Sequence, residues 1–518
     1  MKKFALLFLT LISISTLQAQ DITDALRYGS EELSGSARFT AMSGAFGALG
    51  GDFSAIKVNP AGSAVFLSDA ATISLNVKNS NNDARMQNRN NPSFTNGFLN
   101  NSESDFSLNQ AGVVFVFRET SGNSPFQKFT LGLTYDQVAN FDDQIFVAGK
   151  NAHSIGNYFL EKANGVPLDL FTRRDNENIA DLYAYLGTTN FSMEGYNNQD
   201  LQEAYLGYET YIIEAVSGDF DNTAYTSNIA GNEFDQQYRQ ISTGLNGKLT
   251  VNAGAQFMDD LYMGININSH FINYERTTIF YEENDNASSE INQVYYENSL
   301  STLGSGISFQ VGAIYKIANM VRLGASYTSP TWYTISEETA QYLETDSNEF
   351  GPETADPRVI NIFPEYRLRT PGKLTGSLAV VFGKSGLLSF DYSYKDYSNT
   401  EFGSEFGDHV FAPQNTAIEN NLQAASTYNI GGEYRIVNWS LRGGYHLEES
   451  PYKNEDLMGQ LTGYSFGFGY DFGNIELDFA YARSQRDYHQ RMYQTGLVEK
   501  AIVENKNSNY TASISFGF

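Results

Sequence analysis

The sequence predicts an all-β fold: a 14-stranded antiparallel transmembrane β-barrel with an N-terminal hatch and some helix in a long outer loop. Three observations predict it. Apolar and polar residues alternate with period two in many segments, tight and long connections alternate between those segments, and the N-terminus has the pattern of an export signal.

The alternation is clearest near the C-terminus. Residues 464–472 place five aromatic side chains on one face and Ser, Gly and Asp on the other. Residues 127–138 and 249–257 repeat the pattern with Phe, Leu and Val against Thr, Gly and Asn. Period two with one apolar face is typical of a half-buried strand.

The connections separate a barrel from a sandwich. Fourteen segments have strand character, near residues 70–79, 106–118, 127–138, 243–257, 261–281, 293–316, 320–335, 360–382, 387–402, 419–436, 439–450, 460–472, 474–490 and 505–518. Short joins such as 258–260 and 437–438 alternate with long polar connections, which is the asymmetry of outer-membrane barrels. The last segment ends on Phe518, like the insertion signal of such barrels, although an ordinary closing strand would look the same.

Composition supports this fold and excludes several functions. The chain has 518 residues, 14% aromatics, 45 Gly and only 11 Pro, a composition that favours strands. It has no Cys, which excludes disulfides and thiol chemistry, and its net charge of -27 argues against nucleic-acid binding. No nucleotide-binding, hydrolase-elbow or metalloprotease motif is present, so we predict no enzyme activity, catalytic residue, metal site or cofactor.

The N-terminus predicts export. Lys2 and Lys3 precede an apolar stretch at 4–15, and Ala19 is a suitable cleavage position. We therefore predict a signal peptide over 1–19 and a location in the cell outer membrane of a Gram-negative bacterium. No later segment has 18 consecutive apolar residues, which argues against a helical membrane protein.

Residues 20–69 are predicted to form a hatch, and 70–518 the barrel. This leader is rich in small residues around Asn59, Pro60, Ala61 and Gly62, and it also has apolar residues such as Phe46 and Phe53. Fourteen strands enclose a bore that side chains alone do not fill, so a compact plug is expected. The alternative is a flexible periplasmic leader.

Charged residues in the strands are predicted to point into the bore. The alternation puts Arg322, Arg435 and Arg442 inside, together with several carboxylates: Asp391, Glu433, Glu476 and Asp478. Arg322 and Arg442 are candidate ligand-binding residues, because an inward guanidinium can bind a carboxylate head group. The alternative is that these charges pair with one another and with the hatch.

Residues 140–240 are predicted to form a long extracellular insertion. Within 200–216, apolar residues recur at helical intervals, and Tyr205, Tyr208, Tyr211 and Ile212 are candidates for an apolar groove that captures a ligand. The alternative is that these helices pack together as a lid.

The chain resembles the FadL family of outer-membrane transporters. The "NPAG" of residues 59–62 matches the family's Asn-Pro-Ala hatch motif just before the barrel. Five later segments resemble the family's strands and loops in order: "VRLGASYTSPTWY" (321–333), "RTPGKLTGSLAVVF" (369–382), "LLSFDYSYKDYS" (387–398), "WSLRGGYHLEESPY" (439–452) and "ELDFAYA" (476–482).

This resemblance implies passive uptake of hydrophobic small molecules, such as long-chain fatty acids, through a plugged barrel. It implies capture by outer loops, a site in the lumen, hatch movement and, in studied members, a lateral gap at a kinked strand. The expected partners are the hydrophobic ligand and outer-membrane lipid, with no nucleic acid, and the plugged barrel is expected to be a monomer.

Two alternatives remain open at the level of sequence. One is a barrel that acts as a partner in protein secretion or surface assembly, without ligand transport. The other is an outer-membrane lipid hydrolase, which would need a Ser or Asp beside His270 or His446.

Overall fold

The computed structural model describes residues 22–87, 94, 96–119, 125–189, 191, 195–317, 320–349 and 351–518. The predicted signal peptide, 1–19, lies outside these residues. None of the described helices is long and apolar enough to cross a membrane.

The described helices are α1 (Ile22–Gly29), α2 (Ala37–Ala41), α3 (Ala55–Val58), α4 (Gly156–Ala163), α5 (Ile179–Thr188), α6 (Asn198–Glu209) and α7 (Ala412–Asn421). The strands are β1 (Ala70–Met86), β2 (Leu99–Arg118), β3 (Phe126–Asn140), β4 (Asp143–Asn151), β5 (Ile213–Ala215), β6 (Tyr225–Ser227), β7 (Phe234–Phe257), β8 (Leu261–Glu283), β9 (Ile291–Lys316), β10 (Val321–Thr328), β11 (Trp332–Ser347), β12 (Gly351–Ala355), β13 (Asn361–Ile362), β14 (Tyr366–Arg369), β15 (Lys373–Val381), β16 (Gly386–Asp396), β17 (Glu401–Ser404), β18 (Ala424–Ile436), β19 (Trp439–Glu448), β20 (Leu461–Asp471), β21 (Ile475–Arg491) and β22 (Lys500–Gly517).

Fourteen antiparallel wall strands close into a barrel, which confirms the predicted fold class. Ten wall strands are single segments, and four are two segments in succession: β3 with β4, β10 with β11, β14 with β15, and β16 with β17. The barrel closes where β1 pairs with β22 over seventeen residue pairs.

Several wall strands run past the membrane. β7, β8 and β9 have 24, 23 and 26 residues, whereas a tilted membrane strand needs only about 9–11. β1 and β2 are also longer than predicted, because their Asn- and Ser-rich ends stay paired up to Ala84 and Leu99. These ends are polar on both faces, so they lack the alternation that marks a strand in the sequence.

Three neighbouring wall strands are interrupted at a similar level, although the sequence predicted them as continuous. The breaks lie at 329–331, at 370–372 and at the 3-10 helix Tyr397–Asn399. Pro330 and Pro371 occupy the first two breaks, and proline has no N–H for the ladder.

The leader fills the bore from within. Its helices α2 and α3 and the 3-10 helix Pro60–Val65 pack against the inner faces of the wall strands in the lower bore. Above them, α1 packs among inward-facing aromatic residues, and the outer helices α4, α5 and α6 form a further apolar cluster at the top.

Candidate functional site

The wall has glycine at three inward positions where it contacts the hatch. A Cβ at Gly264 would lie 2.3 Å from the carbonyl carbon of Pro60, and one at Gly312 would lie 2.1 Å from the Asn59 Oδ1. A Cβ at Gly324 would lie 2.2 Å from the carbonyl oxygen of Gly47. These inward glycines therefore form a seat on which the hatch backbone lies at Gly264 and Gly324, and the Asn59 side chain lies at Gly312.

Asn59 ties the hatch to the wall and to itself. Its Nδ2 donates to the carbonyl oxygens of Gly47 at 2.8 Å, Ala313 at 3.0 Å and Ala325 at 3.4 Å. Its Oδ1 accepts from the N–H of Ala61 at 3.1 Å and so caps the following 3-10 helix. Such a buried amide with every group bonded fixes one hatch position.

The next residues of the motif complete this turn. Pro60 starts the 3-10 helix with its fixed φ, and its carbonyl oxygen accepts from the Asn252 Nδ2 at 3.0 Å. Gly62 is buried against the backbone of Gly50, which a larger residue would displace. The structure thus brings the four residues of the predicted hatch motif together at the barrel wall.

A buried cluster of charges holds the hatch from the side. The Glu433 carboxylate accepts from Arg38 of the hatch at 2.9 Å, from Arg442 at 2.7 Å and from Arg435 at 2.7 Å. Arg442 also pairs with Asp478, and with Glu476 at 3.2 Å. Its guanidinium is therefore fully engaged by wall carboxylates.

Two other inward residues of the wall also bind the hatch. The Arg322 Nη1 donates to the carbonyl oxygen of Leu49 at 2.8 Å. The Asp391 carboxylate accepts from the N–H groups of Phe46 at 2.9 Å and Gly47 at 2.8 Å. Both candidate arginines, Arg322 and Arg442, thus contact hatch or wall groups in this structure.

A lysine-lined site surrounds Glu31 of the leader, above α2 and α3. Glu31 lies 2.6 Å from the Lys373 Nζ and 3.8 Å from the Lys395 Nζ. Burial raises the pKa of Glu31, but these two lysines and Lys248 outweigh burial and hold that pKa well below its usual range. The Glu31 side chain still has 47% of its surface accessible although it lies inside the barrel, so the bore is open at this level.

Aromatic residues surround this site on the outer side. Ala25, Leu26 and Tyr28 of α1 pack in one cluster with inward residues of several wall strands, including Tyr274, Tyr333, Tyr366 and Phe402. An apolar, aromatic lining beside a few convergent polar groups is the usual composition of a small-molecule site.

The wall has a lateral gap between its second and third strands. β2 pairs with β3 only from Gln110 to Arg118, whereas it pairs with β1 up to Leu99. After a register shift at 137–139, the third wall strand continues as β4 and pairs only with β7. The outer half of β2 therefore has an unpaired edge.

The leader covers this gap from inside. The N–H of Glu32 donates to the carbonyl oxygen of Val138 at 2.8 Å, and Ser34 donates to that of Gln137. On the other side of the gap, the Asn109 Nδ2 donates to the carbonyl oxygen of Gly35 at 2.7 Å. The segment 32–35 thus bridges the two strands, together with the Asn140 Nδ2 of β3, which donates to the Asp105 carboxylate of β2 at 2.7 Å.

The predicted insertion forms a packed cap. The wall continues through β4 and resumes at Phe234, so the connection spans 152–233. Tyr205 and Ile212 are fully buried in the cap, Tyr208 packs at its edge, and Tyr211 is 43% exposed with a left-handed φ of 57°. The four candidate residues therefore differ in access to a ligand.

The two inward histidines make simple polar contacts. The His270 Nε2 lies 2.9 Å from the Ser308 Oγ, and the His446 Nδ1 lies 2.5 Å from the Asn429 Oδ1. The His270 Nδ1 is buried and has no hydrogen-bond partner among the described residues, so no acid orients it as in a catalytic triad. Within the same residues, no group of three or more His, Asp or Glu side chains could hold a metal ion.

Sequence reasoning missed the site around Glu31. The alternation places Lys373 and Lys395 on inward faces, but Glu31 lies in the leader, where no periodicity applies. The gap was expected only from the family resemblance, and its signal in the sequence is the break at Phe141 and Asp142 between β3 and β4.

Comparisons with known proteins agree with this architecture. The family model for outer membrane protein transport proteins (OMPP1/FadL/TodX) matches residues 207–515, more than half of the chain. The chain is similar in structure to a Pseudomonas aeruginosa FadL homologue, with 11% identity and a TM-score of 0.54 over 95% of this chain and 100% of that chain. It is also similar to the P. putida toluene transporter TodX, with 14% identity and a TM-score of 0.51 over 94% of this chain and 99% of that chain. No curated protein matches the sequence.

Proposed function

Because the chain belongs to the OMPP1/FadL/TodX family of outer membrane transport proteins, we propose that it takes up long-chain fatty acids or similar amphipathic acids by passive transport. The family transports hydrophobic compounds across the outer membrane and is not an enzyme family. The finer assignment to acids rests on the lumen of this chain.

The observation that carries the proposal is the Glu31 site. A fatty-acid carboxylate has the charge and the two oxygens of the Glu31 carboxylate, which lies between Lys373 and Lys395. The neighbouring aromatic cluster around α1 would receive the acyl chain. An uncharged hydrocarbon would gain nothing from the lysines.

A ligand carboxylate that replaces Glu31 at the two lysines would open the lateral gap as an exit. Glu31 directly precedes the segment 32–35 that bridges the lateral gap. When a ligand carboxylate takes the lysines, Glu31 is released and the bridge loses its anchor. The ligand then leaves sideways into the membrane, because the seated hatch blocks the periplasmic end of the bore.

The other predicted residues have supporting roles in this proposal. Tyr208 and Tyr211 make the first contacts with the ligand at the cap, while the buried Tyr205 and Ile212 hold the cap together. The motif at 59–62, with Arg322 and Arg442, keeps the hatch in place. The barrel works as a monomer surrounded by outer-membrane lipid.

Binding to purified protein in detergent tests the assignment to acids. We expect Lys373→Gln combined with Lys395→Gln to weaken binding of a long-chain fatty acid by about tenfold, as loss of charge-assisted bonds implies, and to leave its methyl ester unchanged. Glu31→Gln should strengthen acid binding, because the internal competitor loses its charge. Glu365→Gln, on the exposed surface, is the matched control.

Uptake by cells tests the route. Cells with the native chain should accumulate the fatty acid faster than cells without it, and a disulfide designed across the gap should stop this while acid binding persists. Equal binding of acid and ester in every variant would refute the assignment to acids. Unchanged uptake with the gap closed would refute the lateral exit.

A further inference from the structure

Arg276 is an inward-facing cation on β8, between the two apolar clusters of the upper bore. On the same strand, Tyr274 packs in the cluster around α1 and Phe280 packs in the cluster of the cap. The Arg276 side chain is partly buried, and it interacts electrostatically with Tyr274 and with Tyr238 of the cap cluster. Its guanidinium therefore lies between the cap and α1.

Arg276 has no bonded partner among the described residues. Its guanidinium makes no hydrogen bond and no ion pair with them. By contrast, the inward Arg442 pairs with wall carboxylates, and the inward Arg322 bonds a hatch carbonyl oxygen. An arginine that only holds the fold is expected to have such partners, because an unpaired charge away from bulk water is unfavourable.

The charged groups that face Arg276 leave one positive charge unbalanced. They are Arg27 and Asp24 of α1, which pair with each other. The Arg27 Cζ lies 4.4 Å from the centre of the Tyr274 ring, so both guanidiniums are close to the same aromatic side chain. Two arginines thus share one carboxylate among aromatic rings, and an added anion would balance the second arginine.

The uncharged neighbours of Arg276 differ on its two sides. β7 places Ser242 directly opposite Arg276, and the Ser242 Oγ lies 3.2 Å from the Tyr274 hydroxyl oxygen. β9 places Leu300 opposite Arg276 on the other side, where Leu300 is buried in the cluster around α1. Hydroxyl groups on one side and apolar surface on the other suit a carboxylate that carries an acyl chain.

This position is separate from the lysine-lined site. Lys248, which acts electrostatically on Glu31, lies opposite His270 where β7 pairs with β8. Arg276 lies six residues beyond His270 on β8, which corresponds to roughly 20 Å along the strand. A single carboxylate therefore does not contact both Arg276 and the lysines, so the bore can hold head groups at two levels.

We propose that Arg276 is a second carboxylate site, which holds the head group of an amphipathic acid below the cap before it moves inward to Lys373 and Lys395. The inference rests on the proposed function for the class of ligand, a long-chain acid. The guanidinium donates two N–H groups to the carboxylate, and the acyl chain lies among the aromatic residues of the two clusters. A methyl ester lacks the charge and is not held there.

NMR of palmitate labelled isotopically at its carboxyl carbon tests the site on purified protein in detergent. We expect a protein-bound carboxyl signal that persists in Lys373→Gln combined with Lys395→Gln. The midpoint for this signal should rise by about tenfold in Arg276→Gln and by less in Arg276→Lys, which keeps the charge. Arg239→Gln, on the exposed face of the neighbouring β7, is the matched control and should leave the signal unchanged.

The outcomes separate this site from the lysine-lined site. Loss of every bound signal in the lysine variant would overturn the second site and leave the proposed function standing. A signal that depends on Arg276 alone, with no effect of the lysine substitutions on palmitate binding, would support the second site and refute the role of the lysines.

Two further measurements test the role of Arg276 itself. Arg276→Gln should unfold at the native temperature without ligand, because no bond is lost, and an unchanged carboxyl signal in this folded variant would overturn the proposal. Acetate that displaces the signal as effectively as unlabelled palmitate would overturn the assignment to an amphipathic acid.

Discussion

Adding one methyl group to the hatch seat should unseat the hatch and leave the barrel closed. The Cβ of Gly312→Ala would lie 2.1 Å from the Asn59 Oδ1, whereas ordinary contacts begin near 3.4 Å, so the two must separate by about 1 Å. That shift breaks the Nδ2 bonds to Ala313 and Ala325 and strains the bond to Gly47. At about 1 kcal/mol for each of the two lost bonds, with a further contribution from the strained one, the hatch loses about 2–3 kcal/mol, or roughly thirty- to a hundredfold in its seated-to-open ratio.

Hydrogen exchange followed by mass spectrometry measures this ratio. We expect amides of residues 37–66 to exchange roughly thirty to a hundred times faster in Gly312→Ala, while amides of β8 and β9 keep their protection. Gly376→Ala is the matched control, because its Cβ would meet no atom within 4 Å. Native protection of the hatch in Gly312→Ala would show that the close contact of Asn59 with the seat does not hold the hatch.

Three further predictions concern charge and packing. Glu433→Gln should destabilise the seated hatch by about 3–5 kcal/mol, because it removes the carboxylate paired with the buried Arg38 of the hatch, whereas Glu401→Gln in an exposed pair should change stability by less than about 1 kcal/mol in thermal unfolding. Burial lowers the pKa of Lys57 from 10.5 to about 8, against the opposing effects of Asp136 and Glu31, so the seated hatch binds fewer protons than the free hatch between those values. Hatch protection should therefore rise from about pH 8 to 10.5, and Lys57→Met should abolish that rise in hydrogen exchange. Ile212→Ala should destabilise the cap by about 2–5 kcal/mol in local exchange, whereas Tyr211→Ala should leave cap stability unchanged and slow ligand capture in stopped-flow binding; the reverse pattern would contradict the division between core and contact residues.

The barrel could be predicted because strand alternation is local. In 464–472, the type of each residue indicates the face of the strand on which it lies, so the pattern needs no knowledge of distant partners. The same rule correctly placed Arg322 and Arg442 in the bore, where they now contact the hatch and wall carboxylates. Alternation gives a direction for each side chain, but it does not identify the group that the side chain meets.

The parts that could not be predicted depend on distant pairs. Glu31 and Lys373 meet across 342 positions, and only the closed barrel brings them together. The polar ends of β1 and β2 pair outside the membrane, where neither face needs to be apolar. The lateral gap arises because β4 pairs with β7 and leaves β2. The register of the third wall strand determines this pairing, and the composition of β4 does not.

The closure of β1 onto β22 has a consequence for biogenesis. The leader precedes β1 in the chain, with α1 lying deepest toward the outer side, and its Ala37 N–H donates to Ser513 of the last strand at 2.7 Å. Inserting that leader into an already closed barrel would move its charged groups past the aromatic residues of the bore. The geometry therefore favours wall strands that close around a leader already in place. The glycines of the seat then contact the leader while the barrel closes as well as in the finished protein, so a side chain larger than that of Ala there is expected to slow closure.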